Sequence, residues 1–157
     1  MIENEPTVIS VSSSTLIHGD VLPIKYTRQH QNIHPPVSFR GLPLETASLA
    51  LIMERIGTSD EVFDHWVIWN MPPTAAIAEG SARGVTGKNG HGENTYTGPH
   101  EPFGKCYRLQ VFALNKMLTL DKHNGKEQLR EAMGGHILAM GSMDAYCAAH
   151  SLEQNIA

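Results

Sequence analysis

Residues 64–73, Asp-His-Trp-Val-Ile-Trp-Asn-Met-Pro-Pro, constrain the fold more than any other part of the chain. Trp, Val and Ile suit the pleated surface of a strand, and proline cannot donate to a strand ladder. Because side chains alternate along a strand, one face is predicted to carry His65, Val67, Trp69 and Met71. Both faces are apolar, which predicts a central strand that is covered on each side.

Two further apolar runs predict long strands. Residues 48–54 form one run, bounded by Pro43 and Gly57, and residues 107–114 form the other. Both are rich in aliphatic and aromatic side chains, and the flanking proline and glycine are typical of strand boundaries. Residues 7–11 predict a shorter strand. The chain is therefore expected to be mainly β.

Helix signals come late in the chain. Asn124 is a candidate N-cap for a helix over residues 126–133, where Leu129 and Met133 lie four apart before Gly134. Residues 136–140 follow as a short apolar segment that Gly141 is expected to end. The tail from residue 143 to 149 fits a helix or an edge strand. We expect a single domain over residues 1–157, β-rich with a helical C-terminal part.

Seven glycines lie between residues 80 and 104, a stretch without apolar periodicity. Structureless stretches of this length inside a domain are uncommon and are usually functional or disordered. A floppy surface loop is the simpler interpretation. Tyr96 and Phe103 favour a loop that is pinned to the body of the protein.

Composition excludes several classes of function. The net charge is −4, without the basic excess typical of nucleic-acid-binding proteins. The sequence has no run of about 18 apolar residues to span a membrane, and its N-terminus does not resemble a secretion signal. Cys106 and Cys147 are isolated in sequence, which favours free thiols in a reducing compartment. A cytoplasmic protein without a transmembrane segment is expected.

Familiar catalytic motifs do not occur. Among the nine histidines only His30 and His34 have the four-residue spacing of a zinc-binding helix, and Pro35 directly after them argues against a helix there. Residues 87–92, though glycine-rich, do not follow a predicted strand. A Gly-x-Ser-x-Gly nucleophile elbow is also missing. We therefore predict no metal, no cofactor and no enzyme activity.

Two motifs in order carry a family resemblance. His65-Trp66-Val67-x-x-Asn70-x-Pro72 is the first, and Tyr96-x-Gly98-Pro99-x-x-Pro102 is the second. The chain resembles the phosphatidylethanolamine-binding protein family, which includes Raf kinase inhibitor proteins, from about residue 7 to residue 146. The resemblance implies an antiparallel β-sandwich with Greek-key connections and a few short, mostly C-terminal helices. It also implies a pocket for phosphate or phosphorylated head groups, in proteins that bind ligands or inhibit kinases or proteases.

The resemblance also implies positions for the pocket residues. The family's pocket histidine matches His65 and its pocket tyrosine matches Tyr107, and residues 98–102 match its proline-bearing loop, with Gly98, Pro99 and Pro102. The chain departs from the family pattern at several positions, two of which concern charge in the pocket. The motif Asp-Pro-Asp-x-Pro falls on residues 55–59, where Arg55 replaces the first aspartate, and the second pocket histidine falls on Lys105.

These departures allow two interpretations. If Arg55 and Lys105 point at His65, the pocket gains positive charge, the pKa of His65 falls, and anions are attracted more strongly. If both side chains reach solvent instead, the pocket has decayed. Glu54, one position away from Arg55, is expected on the opposite face of the sheet.

The predicted function is that of a small soluble binding protein with an anion pocket. Its predicted ligand-binding residues are His65, Tyr107, Lys105, Arg55, Gly98, Pro99 and Pro102. The predicted partners are an anionic small molecule, phosphate or a phosphorylated head group, and a kinase or protease. The sequence is also compatible with a homodimer. The alternatives are a hydrolase with His65 as general base and an interaction module that uses residues 80–104.

Overall fold

A computed structural model describes residues 7–16, 22–56, 62–100 and 106–146, and for Tyr146 the backbone alone. The strands are β1 (Thr7–Val8), β2 (Ser10–Ser12), β3 (Val37–Arg40), β4 (Ser48–Ile56), β5 (Phe63–Met71), β6 (Ala76–Ile77), β7 (Val85–Thr86), β8 (Cys106–Leu114) and β9 (Ile137–Tyr146). One α-helix, α1 (Lys126–Met133), and a 3-10 turn at Ile24–Tyr26 complete the described elements.

The strands form two sheets. The larger sheet has six strands in the order β1-β9-β8-β4-β5-β7, and the smaller has three in the order β2-β3-β6. The short β1 runs parallel to β9, whereas the other neighbouring pairs of described strands are antiparallel, so the larger sheet is mixed. The predicted mainly β fold is confirmed.

Strand β4 lies at the centre of the larger sheet, between β5 and β8. Its residues 48–54 are all buried. Leu51 and Met53 pack into a core together with β8 and the smaller sheet, whereas Ile52 packs on the other face, in a core that includes α1. Both predicted long strands are therefore confirmed, and the sheet is covered on its two faces as expected.

The predicted alternation along β5 is wrong. Strand β4 pairs Met53 with Trp66 but pairs the next residue, Glu54, with Asp64, so His65 is an extra residue in β5. Such a bulge resets the alternation of side chains. His65 and Trp66 consequently lie towards the same core, while Val67 and Trp69 pack on the opposite face of the sheet.

A second irregularity follows near the end of β5. The register shifts between the Leu51 and Leu49 pairs, and Asn70 has a positive φ of 58°. This shift returns Met71 to the core that contains Trp66. The side-chain amide of Asn70 bonds the backbone of Leu118 in both directions, each at 2.8 Å, and so stabilises the irregular backbone.

The predicted helix is confirmed over Lys126–Met133, but its N-cap is Gly125 and not Asn124. The Gly125 amide donates to the side-chain oxygen of Gln128 at 2.9 Å, which ties down the first turn. Beyond the helix, the chain does not end its strand at Gly141 as predicted. Strand β9 continues through that residue and lies between β1 and β8.

Gly141 is required by a close backbone approach. The Ile9 amide donates to the Met140 carbonyl at 2.8 Å, and a Cβ added at residue 141 would lie 1.9 Å from the Ile9 carbonyl oxygen. A glycine here therefore allows the N-terminal segment to cross β9. In the described ranges, no helix has the length and apolar character needed to cross a membrane.

We predict that Gly141→Ala lowers the free energy of unfolding by about 2 kcal/mol or more, because the added methyl overlaps a backbone atom. Gly92→Ala is the matched control, since its Cβ would meet nothing within 4 Å and only its φ of +77° is unfavourable. Gly92→Ala should lower the free energy of unfolding by about 1 kcal/mol. Urea denaturation of both variants measures the difference, and equal costs would contradict the close approach at Gly141.

Candidate functional site

A cavity of about 250 Å³ opens where β4, β5 and β8 meet the loop that follows β7. Its lining residues are Arg28, Arg55, Phe63, His65, His91, Gly98, Pro99, His100 and Tyr107. The strand register explains part of this set, because Arg55 pairs with Phe63 on one side and with Tyr107 on the other. Three neighbouring strands thus present their side chains in a row across the sheet.

His65 forms the inner wall of the cavity and is 3% exposed. Its Nδ1 lies 2.7 Å from the carbonyl oxygen of Thr97, and the Thr97 amide donates to the His65 carbonyl at 2.9 Å. A carbonyl oxygen can only accept, so Nδ1 carries the proton. Nε2 then presents a lone pair, and it is buried with no hydrogen-bond partner among the described atoms.

The surroundings keep the His65 ring neutral. Burial lowers the pKa of His65 to about 4, with the positive charges of Arg55 and His91 acting in the same direction. The hydrogen bond to Thr97 acts in the opposite direction and is outweighed. Near pH 7 the imidazole is therefore an uncharged hydrogen-bond acceptor towards the cavity.

Aromatic rings hold His65 and Arg55 in position. The ring centroid of His65 lies 4.8 Å from that of Phe63 and 5.3 Å from that of Tyr107, with the planes steeply inclined in both pairs. The guanidinium carbon of Arg55 lies 5.7 Å from the Phe63 centroid, within the range of a cation–π contact. Arg55 thus stays at the cavity wall, half-buried.

The loop side of the cavity depends on Gly98. A Cβ at this residue would lie 1.8 Å from the Tyr26 carbonyl oxygen, so only glycine allows this approach. The Gly98 amide donates to the side-chain oxygen of Asn32 at 2.7 Å, and the Arg28 amide donates to the Pro99 carbonyl at 3.1 Å. These bonds join residues 98–99 to residues 26–32 and place Arg28 at the mouth.

The cavity lining is cationic. Arg28 and Arg55 carry permanent charge, His91 and His100 are exposed at the rim, and the described lining contains no Asp or Glu. Glu54, as predicted, faces the opposite side of the sheet. There the Nζ of Lys126 lies 2.9 Å from a carboxylate oxygen of Glu54 and 2.7 Å from one of Asp64. The described residues hold no group of three or more His, Cys, Asp or Glu side chains suited to a metal ion.

Five of the seven predicted ligand-binding residues lie around this cavity: Arg55, His65, Gly98, Pro99 and Tyr107. The other two, Lys105 and Pro102, lie outside the described residues, as does Phe103. The predicted pinning of the glycine-rich loop is seen at Tyr96, which is buried and donates from its hydroxyl to the Tyr26 carbonyl at 2.9 Å.

Sequence reasoning missed four lining residues: Arg28, Phe63, His91 and His100. No local motif marks Arg28, which reaches the cavity through a contact between segments about seventy residues apart. Phe63 could have been found by extending the predicted strand one residue towards the N-terminus, because it lies two residues before His65. His91 and His100 could have been found by treating the glycine-rich loop as a wall of the site.

Comparison with known proteins identifies the family. A family model described as phosphatidylethanolamine-binding protein matches residues 12–148. A UPF0098 protein of Methanothermobacter thermautotrophicus is 37% identical over 129 residues, which cover 74% of this chain and 83% of the relative. A UPF0098 protein of Chlamydia muridarum is 36% identical over 143 residues, 86% of this chain and 95% of the relative.

A solved structure gives the same result for the fold. The crystal structure of a protein described as a phosphatidylethanolamine-binding protein homolog from Chlamydia trachomatis superposes with a TM-score of 0.79. Its sequence is 33% identical, and the match covers 88% of this chain and 95% of that one.

The pKa of His65 predicts how stability depends on pH. The pKa falls from 6.5 to about 4 on folding, so between these values the unfolded chain binds a proton that the folded protein does not. The free energy of unfolding should therefore fall as the pH drops from about 6.5 to about 4, by up to about 3 kcal/mol from this residue. Below about pH 4 this component should change no further.

Urea denaturation at a series of pH values tests this prediction when His65→Gln is measured beside the unsubstituted protein. The variant should lose this part of the pH dependence and keep the part due to His34, whose pKa is also lowered by burial. The same dependence in both proteins would show that His65 titrates normally.

Proposed function

This chain belongs to the phosphatidylethanolamine-binding protein family, and on that premise we propose that it binds a small oxyanion in the cavity around His65. The observation that carries the proposal is a cavity of about 250 Å³ with two arginines and no described carboxylate in its lining. A phosphate group or a small phosphorylated head group is the class of ligand that suits this volume and charge.

The two arginines would supply most of the attraction. A guanidinium group is planar and always charged, and its N–H groups match two oxygens of a phosphate at once. Arg55 comes from the sheet and Arg28 from the facing segment, so an anion between them would be contacted from two sides.

The position of Arg55 favours a re-tuned pocket over a decayed one. A decayed pocket would leave its cation extended into solvent, whereas Arg55 is half-buried and lies over the ring of Phe63. The arginine occupies the place at which the family motif has its first aspartate. The exchange of a carboxylate for a guanidinium would strengthen the attraction for anions.

Binding without turnover is the function we propose. The described lining offers no serine, threonine or cysteine to act as a nucleophile beside His65. A hydrolase that uses His65 as general base to activate water would show turnover of phosphate esters that is abolished in His65→Ala. The proposed ligand is a small anion, and inhibition of a kinase or protease is not part of the proposed function.

We predict that the protein binds inorganic phosphate and that Arg55→Gln weakens binding roughly tenfold to a hundredfold, the effect of losing one charge-assisted hydrogen bond. The control is Arg40→Gln, which removes the same charge from an exposed position at the end of β3, outside the cavity lining. The control should change affinity much less, since exposed distant charges are screened by salt.

Heteronuclear NMR titration measures both the affinity and the place of binding. Saturable shifts should cluster at His65, Tyr107 and residues 98–100. An absence of saturable shifts up to tens of millimolar phosphate, equivalent to about 2 to 3 kcal/mol of binding free energy, would refute the proposed function.

A further inference from the structure

We propose that the cavity selects oxyanions that carry a hydroxyl group, such as hydrogen phosphate and singly protonated phosphate monoesters, over fully deprotonated anions such as sulfate and over phosphate diesters. This inference rests on the proposed anion binding and specifies which form of the anion is bound. It follows from the hydrogen-bonding state of His65, a buried polar side chain in the cavity lining.

The tautomer of His65 is set by a backbone carbonyl. Nδ1 lies 2.7 Å from the Thr97 oxygen, which cannot donate, so the proton of the neutral ring is on Nδ1. Nε2 can then only accept a hydrogen bond. It is buried, and the described part of the chain gives it no partner. A buried acceptor without a donor is unfavourable, and a ligand hydroxyl would satisfy it.

The groups that face His65 oppose its conversion to a donor. Arg55 approaches from β4, and His91 comes from the loop after β7; both disfavour a positive charge on the ring. Phe63 and Tyr107 flank the ring with aromatic surface, and Arg28 and His100 complete the polar lining. The carboxylates of Glu54 and Asp64 are paired with Lys126 and do not line the cavity.

The ligand must therefore supply the proton. An oxyanion with a hydroxyl can donate it to Nε2 while its charged oxygens meet Arg28 and Arg55. Sulfate and a phosphate diester have acceptor oxygens only, so either would place a lone pair against the Nε2 lone pair or require His65 to take a proton from solvent. A site that is built to pair a ligand hydroxyl strongly rejects analogues that lack it.

The path to Nε2 runs past the rim. The exposed His91 packs against Phe63, with ring centroids 4.8 Å apart, and Phe63 in turn packs against His65. Exposed side chains change rotamer rapidly, so His91 can swing aside as a ligand enters. Once the ligand is bound, the hydrogen bond to Nε2 is shielded from water.

Calorimetry on the unsubstituted protein is the primary test. At pH 7 and constant ionic strength, inorganic phosphate should bind at least about tenfold more tightly than sulfate, the cost of leaving a buried acceptor facing another acceptor. Equal affinities would overturn the inference while the proposed anion binding stands. If neither anion binds, the inference falls together with the proposed function.

Affinities for inorganic phosphate and methyl phosphate, measured over a range of pH, separate the effect of the ligand hydroxyl from that of charged side chains at the cavity rim. Methyl phosphate loses its last hydroxyl above about pH 6, whereas inorganic phosphate still carries one at pH 8. Charged side chains of the protein act on both ligands alike. The affinity of methyl phosphate relative to inorganic phosphate should therefore fall about tenfold or more between about pH 5 and about pH 8. A constant ratio would overturn the inference.

His65→Gln links the selectivity to the residue. The glutamine amide can donate as well as accept, so the preference for phosphate over sulfate should shrink towards a ratio of one. His100→Gln is the matched control at the exposed rim, where both affinities should change together and their ratio should persist. A ratio that is unchanged in His65→Gln would overturn the inference. Should that variant not fold, the two comparisons on the unsubstituted protein decide the matter.

Discussion

The paired contact between His65 and Thr97 is the interaction on which the cavity depends. The backbone amide of Thr97 bonds the His65 carbonyl, and the Thr97 carbonyl accepts from the His65 ring. One bond holds the glycine-rich loop against the edge of β5, and the other fixes the tautomer of the imidazole. The bulge at His65 makes this geometry available. In a regular strand His65 would face the side of Val67, away from the cavity.

The loop that carries Thr97 is ordered by side-chain hydrogen bonds in place of regular secondary structure. The side-chain oxygen of Asn89 accepts from the amides of His91 and Glu93, and its amide donates to the Thr95 carbonyl. Together with the Gly98 contacts, these bonds cover most of the stretch between β7 and residue 100. A site with walls held in this way needs little reorganisation when a ligand binds.

The strands and the helix could be predicted from the sequence, because burial on two faces leaves continuous apolar runs at β4, β5 and β8 and helical spacing at Leu129 and Met133. The face assignment along β5 could not be predicted in the same way. A bulge inserts one residue without changing composition, so the apolar pattern around His65 gives no sign of it.

The site was predictable where a motif marks it and missed where it depends on contacts distant in sequence. His65, Gly98, Pro99 and Tyr107 belong to recognisable motifs or strands. Arg28 lies in a segment without a pattern and reaches the cavity through its bond to Pro99. Only the tertiary fold brings such a residue to a site. The continuation of β9 through Gly141 was missed for a related reason. Gly141 pairs with Val111 of β8, and the glycine is explained by the passage of Ile9 beside it.

Charge is separated across the larger sheet, and this separation gives the cavity its sign. Neighbouring residues Glu54 and Arg55 point to opposite faces of β4. On one face, Lys126 forms ion pairs with both Glu54 and Asp64. These two carboxylates are therefore neutralised on the side of the sheet that faces away from the cavity. On the other face, Arg55 lies over the ring of Phe63 and close enough to His65 to act on its charge. A shift of β4 by one residue would place Glu54 where Arg55 now lies and would reverse the charge beside His65. The same pairing of β4 with β5 that builds the core thus also determines the sign of the charge in the cavity lining.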